Sequence, residues 1–375
     1  MKLLIVSEFF PSGKKLKFSG GVEARNFYVA KKLAKKHSIT ILTSKTDDNQ
    51  KIGRMFNFKI IYAGSLRSYK PTVGDLIARV SFINDAIKIG RSLDADIVEG
   101  TNFISHLIAK QIATKKHIPV VAWYPDVWLG EWVANVGPLG IFGEILERIN
   151  LKRDFDSYIA ISKTTAEKLK NHVNKKIKVI PCGVDIDEFN TKLKKQPDTI
   201  LCISRLAKYK RIRTLILAFA LLAKSHKNLH LNIIGSGPDY PKLKNLISAL
   251  KLKKKITFFS NLPRKEVIRL LMLSKIFCLP SEVEGFGIAV IEALAAQTPY
   301  VISDIDVFKE VTKNGRGGLM FELENPTDLA QKIERLLEDK NLYLQKVNEG
   351  QRLINNYNWS KIADLTEQVY LKHFV

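Results

Sequence analysis

Short β-type apolar runs alternate with stretches of helical periodicity along the whole chain. Lys2 to Ser7 reads as a buried parallel strand, Gly20-Gly21 opens a helix from about Val22 to Lys36, and Ile39 to Thr43 is the next strand. Strand-like runs recur near Lys59 to Ala63, Ile97 to Glu99, Val120 to Trp123 and Tyr158 to Ile161. The rhythm repeats with Thr199 to Ser204, Leu229 to Gly235, Ile256 to Phe259, Ile276 to Leu279 and Tyr300 to Ser303. Strands separated by helices predict parallel sheets covered on both faces. At 375 residues the chain exceeds what one core ordinarily supports. The Pro/Gly-punctuated stretch Val179 to Asp185, followed by a polar segment, sets a boundary at about residue 185. The expected fold class is therefore α/β, with two doubly wound Rossmann-like domains at 1–185 and 186–355. The tail, 356–375, is an amphipathic helix carrying Trp359, Ile362, Leu365, Val369 and Tyr370. Ligands of such sheets bind beyond the carboxyl ends of the strands.

Composition narrows this picture in three ways. Hydrophobic content of 46% and charged content of 26% are those of a water-soluble globular chain. No apolar run approaches the ~20 residues that cross a bilayer, and Met1-Lys2 leads straight into a strand without a signal peptide. Cys182, Cys202 and Cys278 lack metal or disulfide spacing, which points to a reducing cytoplasm. The formal charge of +23 calls for an anionic partner. Basic residues are spread through both halves without interleaved aromatics or a zinc-finger or RRM-type signature, so nucleic acid is not expected. The densest cluster, Lys31, Lys32, Lys35 and Lys36 with Lys14, Lys15 and Lys17 before it, is either a solvated face or a contact for anionic lipid at the inner membrane surface.

Three strand-to-helix junctions of the second half carry chemistry. After Ile276 to Leu279 comes Pro280-Ser281-Glu282-Val283-Glu284-Gly285-Phe286-Gly287-Ile288, with a second carboxylate, Glu292, eight residues beyond Glu284. A helix N-terminus offers free N–H groups to an anion, and two acids can hold hydroxyls. A sugar nucleotide offers both kinds of group; two solvated glutamates are the plainer alternative. Ser204-Arg205-Leu206-Ala207-Lys208-Tyr209-Lys210 likewise leaves the carboxyl end of a strand, where a guanidinium and an ammonium can hold phosphate oxygens. Ile233-Ile234-Gly235-Ser236-Gly237-Pro238 permits close backbone approach to a ligand, or only a tight connection.

These three stretches, taken in their order along the chain, resemble the retaining glycosyltransferases of family 4, which have the two-Rossmann-domain GT-B fold. The resemblance extends to Gly20-Gly21-Val22-Glu23, to Ile159 to Lys163, to the Ile180 to Asp185 hinge and to Trp359. It implies that Arg205 and Lys210 hold the donor diphosphate, that Glu284 contacts the transferred sugar and that Glu292 binds the ribose. Gly285, Phe286, Gly287 and Ile288 would cradle sugar and phosphates, Asn261 and Leu262 would line the base pocket, and Gly21 would approach from the first domain. The family's last helix crosses back to that domain. A UDP- or GDP-sugar would be the substrate, with no cofactor. Fixed positive charge at the leaving phosphates lowers the barrier to breaking an anomeric bond, so no metal is expected despite Asp-x-Asp pairs such as Asp304/Asp306. A nucleotide-sugar epimerase, a glycosyl phosphorylase and a non-catalytic partner subunit are the rival readings.

The match departs from the family at several positions, most of all on the acceptor side. Pro125 stands where many relatives have histidine, Glu99 and Thr101 likewise, and Arg211 and Gln297 replace glycines. Asp126 or Tyr124 would then act near the reacting sugar, unless Asp126 only caps the following segment. The Trp-rich stretch Asp126 to Phe142, with Trp128 and Trp132, is expected either to receive a lipid-linked hydroxyl acceptor or to pack beneath the next helix.

Overall fold

The computed structural model describes residues 1–11, 18, 20–46, 52–67, 76–191 and 193–374. It divides into two compact units, one of them Gly183–Asn358 and the other made of the N-terminal strand, Phe18–Cys182 and Trp359–Val375. The first passage between units thus falls between Cys182 and Gly183, beside the boundary read from the sequence at about 185.

In the first unit the order is β1 (Lys2–Ser7), α1 (Gly21–Leu33), β2 (Ser38–Ser44), β3 (Ile52–Met55), β4 (Phe58–Ala63), α2 (Leu76–Ser92), β5 (Ile97–Gly100) and α3 (Phe103–Lys116). It continues with β6 (Val120–Tyr124), α4 (Trp132–Val136), α5 (Gly140–Leu151), β7 (Ser157–Ala160), α6 (Lys163–Lys170) and β8 (Ile177–Val179). The strands line up β3-β4-β2-β1-β5-β6-β7-β8, parallel except for the β3/β4 hairpin. The second unit runs β9 (Gln196–Ile203), α7 (Ile212–Ser225), β10 (His230–Ile234), α8 (Tyr240–Ala249), β11 (Ile256–Phe259), α9 (Arg264–Leu273) and β12 (Ser274–Leu279). There follow α10 (Ile288–Ala295), β13 (Tyr300–Ser303), α11 (Asp306–Thr312), β14 (Gly318–Phe321), α12 (Pro326–Glu338) and α13 (Lys340–Ile354). This sheet is wholly parallel, in the order β11-β10-β9-β12-β13-β14. Both sheets wind outward in two directions from a central pair, β1/β5 and β9/β12. At such a reversal the loops leaving neighbouring strands part to opposite faces and open a crevice.

Strands β3, β8 and β14 were not foreseen, for physical reasons. The first is a hairpin arm with no fully buried residue, the second is three residues long with Lys178 exposed, and the third is an edge strand opening on glycine. The first two lack the apolar run that marks the central strands, and β14 offers only Leu319 to Phe321 behind paired glycines.

The last helix, α14 (Trp359–Leu371), belongs to the first unit and is held there by mixed contacts. Trp359 stacks on Tyr28 with ring centroids 5.2 Å apart. Glu367 accepts hydrogen bonds from Lys36 at 3.2 Å and His37 at 2.5 Å, so part of the basic cluster in and just after α1 is spent on this helix. Lys14, Lys15 and Lys17 lie outside the described residues. At the helix end, the Tyr370 hydroxyl donates to Glu99 at 2.7 Å, and Glu99 is paired with Arg25. All three side chains are buried. Glu99, which stands where the resemblance leads one to expect histidine, therefore ties α1, β5 and α14 together.

Gln297 shows what replacing a glycine costs. Its N–H bonds to the Leu294 carbonyl, the Thr298 N–H bonds to that of Ala293, and φ at Gln297 is +55°. This is the Schellman termination of α10, in which the left-handed position favours glycine. The side chain is exposed. Gln297→Gly should stabilise the protein by ~1 kcal/mol in urea denaturation. Glu99→Gln, which leaves a buried guanidinium without its counter-charge, should cost ~3 kcal/mol or more in the same measurement.

Candidate functional site

The site is assembled at the reversal point of the second sheet. Strands β9 and β12 are hydrogen-bonded neighbours, with Ile200 opposite Ile276 and Leu201 opposite Phe277. The loop after β9 carries Arg205 and Lys210, and the loop after β12 carries Ser281 to Gly287. A bond from the Glu282 N–H to the Tyr209 carbonyl, 2.9 Å, fastens the two together. Lys210 Nζ then lies 2.6 Å from Glu284 Oε1 and 3.1 Å from the Val283 carbonyl, and Ser281 Oγ donates to the same Glu284 oxygen at 3.0 Å. Both charged side chains are largely shielded from water, so their attraction is screened less than that of a surface pair.

Gly287, at φ +87°, turns the chain into α10, and a Cβ there would come 2.7 Å from the Phe308 ring. Three residues thus separate Glu284 from the start of α10, whose first N–H groups lack partners within the helix. Phe286 packs its ring against Tyr357 in the core, so only its backbone can serve a ligand. The third junction has a role the sequence left open. A Cβ on Gly235 would lie 1.8 Å from the Ser204 carbonyl oxygen, and one on Gly237 would lie 2.2 Å from that of Leu206. These glycines let two protein loops touch. Arg211, at φ +48°, also occupies a left-handed position that favours glycine, but its guanidinium pairs with Glu282 and Glu324 at 2.8 Å each.

Glu292 sits on the buried face of α10, and its partner is one the sequence reading missed. Arg264 Nη1 lies 2.5 Å from Glu292 Oε1, and the same guanidinium holds Glu188 at 2.8 Å. Burial raises the Glu292 pKa, and Arg264 works against that rise. Arg264 opens α9, immediately beyond Asn261, Leu262 and Pro263 and thus beyond the carboxyl end of β11. That position, the same as those of Arg205 and Glu284 relative to their strands, is the signal that could have found it.

The first-unit residues are arranged otherwise. Tyr124 is buried in the core with its ring 4.3 Å from that of His106, and burial drives its pKa upward. Asp126 follows β6, and its carboxylate accepts from the Val127 N–H at 2.8 Å, the Trp128 indole at 2.9 Å and Lys168 at 3.2 Å. Trp132 donates its indole N–H to Glu147 at 2.6 Å and packs edge-on against Phe103. Gly21 opens α1. Among the described residues, one group of side chains, His226, Glu334 and Glu338, is close enough to share a metal ion; it lies at the ends of α7 and α12, away from the loops of the site. Asp304 of the Asp-x-Asp pair is bound to Lys309 at 2.8 Å.

Residues 184–355 match the family described as glycosyl transferases group 1, and residues 19–188 match glycosyltransferase family 4. The chain belongs to glycosyltransferase family 4. An uncharacterized glycosyltransferase of Haemophilus influenzae is 30% identical over 177 residues, which is 47% of this chain and about half, 49%, of that relative. The alpha-monoglucosyldiacylglycerol synthase of Acholeplasma laidlawii is 33% identical over 139 residues, 37% of this chain and 33% of the relative. Among solved structures, sucrose-phosphate synthase from Thermosynechococcus elongatus superimposes with a TM-score of 0.83 at 18% identity, covering 100% of this chain and 99% of the other. Anabaena Alr3699/HepE in complex with UDP-glucose gives 0.76 at 17%, covering 99% of each chain. The fold is therefore GT-B, as expected from the sequence.

For this family 4 glycosyltransferase the Arg264–Glu292 pair makes a measurable statement. An ionised Glu292 accepts hydroxyl donors better than a protonated one, so if it holds the ribose, as the resemblance implies, affinity for a nucleotide should fall as pH drops through its pKa. Removing Arg264 takes away the cation that opposes the burial effect, which raises that pKa. Arg264→Gln should therefore shift the acid limb of UDP-induced thermal stabilisation to higher pH, scanned between about pH 5 and 8. An unshifted limb would show that Arg264 does not govern the charge of Glu292.

Proposed function

We propose that this glycosyltransferase moves a hexosyl group from a UDP- or GDP-sugar, with retention at the anomeric carbon and without a metal ion, to the hydroxyl of a lipid-linked glycan or glycolipid. The observation that carries the donor half is the Lys210–Glu284 pair beside the N-terminus of α10. Cleavage of the anomeric bond leaves negative charge on the diphosphate and positive character on the sugar ring. Arg205, Lys210 and the N–H groups of Gly287 and Ile288 supply fixed positive charge for the phosphates, and their preorganisation lowers the barrier. Glu284 takes the sugar hydroxyls and Glu292 the ribose, while Asn261 and Leu262 form one wall of the base pocket. Backbone groups of Gly235, Gly285 and Phe286 complete the donor contacts.

On the acceptor side, Asp126 is held by three donors and is assigned the shaping of the loop that follows β6, with Tyr124 beneath it and Trp128 and Trp132 behind the acceptor. The UDP-glucose bound by the Anabaena protein supports a UDP-sugar, and the glycolipid named for the Acholeplasma relative supports a lipid-linked acceptor. The described residues include no helix long and apolar enough to cross a membrane. An enzyme acting from the cytoplasm on the inner face of the membrane fits these features.

Thermal stabilisation by a panel of UDP-, GDP- and ADP-sugars identifies the donor, since bound ligand stabilises by RT ln(1 + [L]/Kd). Release of free nucleotide that depends on a lipid-linked acceptor should follow, and should survive EDTA; loss of turnover restored by Mn²⁺ would overturn metal independence. Glu284→Gln should depress turnover by roughly a hundredfold with little change in donor affinity. Glu292→Gln should instead weaken donor binding, by roughly tenfold. The reverse pattern would exchange the two assignments.

A further inference from the structure

Helix α5 is built inside out. Its polar residues Glu144, Glu147 and Asn150 are buried, whereas Ile141, Phe142, Ile145 and Ile149 are between 44 and 53% exposed. The rotation is locked from within. Glu144 accepts from the Gly130 N–H at 2.8 Å, Glu147 accepts from the Trp128 N–H at 3.1 Å and the Trp132 indole at 2.6 Å, and Asn150 donates to the Phe103 carbonyl at 2.5 Å. A Cβ on Gly143 would stand 2.4 Å from the Trp132 ring, so that side of the helix is closely packed as well. Turning the apolar face inward would break all of these bonds. Leu139 and Val133, exposed by 50 and 48%, extend the patch beyond the helix itself. Both tryptophans direct their indole N–H groups inward, so the exposed apolar surface comes from α5 and not from them.

A contiguous apolar face of this kind in a water-soluble protein marks a contact surface. Its basic members indicate the partner. Arg148, on the same helix, bonds Glu144 at 2.6 Å yet leaves 61% of its side chain exposed, and Lys152, one residue beyond the helix end, is exposed too. A second copy of the chain in a two-fold contact would set this basic rim against its own equivalent, in a protein whose formal charge is +23. An anionic lipid surface offers apolar depth beneath negative headgroups.

We propose that α5 lies in the plane of an anionic bilayer, with Ile141, Phe142, Ile145 and Ile149 below the headgroups and Arg148 and Lys152 on the lipid phosphates. The inference rests on the lipid-linked acceptor reading for its purpose, since it would bring the first unit to its substrate. The lipid contact itself can be measured without turnover.

The full chain is floated with vesicles of phosphatidylcholine alone, and of phosphatidylcholine with about one phosphatidylglycerol in three. Wild type should bind the mixed vesicles and largely ignore the neutral ones. Ile145→Gln/Ile149→Gln should lose roughly tenfold in partitioning, and Arg148→Ala/Lys152→Ala a similar factor that shrinks as salt is raised. Unchanged melting temperatures would show that the exposed substitutions leave the fold intact. Absence of binding by wild type, or equal binding by wild type and both variants, overturns the proposal. So does a wild-type dimer in sedimentation that Ile145→Gln/Ile149→Gln converts to monomer, which would assign the face to a second copy. UDP-induced thermal stabilisation of the same proteins reads the donor site separately, so failure there sinks the donor reading and leaves the vesicle result standing.

Discussion

The arrangement of the second unit depends on β9 and β12 lying side by side although two other strands and three helices separate them in the chain. Sequential strands β9, β10 and β11 build the sheet to one side, and β12, β13 and β14 build it to the other. The chain leaving the central pair therefore turns to opposite faces of the sheet, and the two loops meet at its edge before they diverge. Here they carry an ammonium and a carboxylate, drawn to 2.6 Å in a site that water reaches poorly. Glycines 235, 237 and 287 serve this arrangement by admitting backbone or ring atoms where a Cβ would collide.

Glu292 illustrates the opposite demand. A carboxylate on the buried face of an apolar helix pays a desolvation cost that favours its neutral form, while the ribose contact proposed for Glu292 calls for a strong acceptor. Arg264 reconciles the two by standing 2.5 Å away, and its second link to Glu188 anchors it to the turn just after the passage between units. The Arg25–Glu99–Tyr370 set applies the same logic to the first unit: a charge placed in the core is kept only because its partners are placed there with it. The positions where this chain departs from the family pattern are accordingly not neutral. Glu99 becomes an anchor for the last helix, Arg211 offsets a left-handed backbone with two ion pairs, and Gln297 bears that backbone without such partners in its side chain's exposed setting.

The central strands were legible because a parallel strand buried on both faces must be an apolar run. Strands β3, β8 and β14 were not, because a hairpin arm, a three-residue strand and an edge strand satisfy no such requirement. The loops of the candidate site were legible for a related reason: Arg205, Lys210 and Glu284 fall just after apolar runs, and the end of the sheet at which they emerge follows from strand direction. Arg264 obeys the same rule behind β11 and was passed over because nothing in its own segment names the acid it serves.

Helix α5 marks where reading in one dimension stops. Its alternation of Ile, Phe, Glu, Arg and Asn announces an amphipathic helix, but periodicity alone is the same whether the polar or the apolar side faces the sheet. The sequence by itself determined the two parallel sheets, the loops that carry the charged groups of the candidate site, and the family. Tertiary structure decided which charges meet, Lys210 with Glu284 and Arg264 with Glu292, and which way α5 turns. Those outcomes depend on hydrogen bonds and packing between segments far apart in the chain, and a local pattern of residues carries no record of its partners.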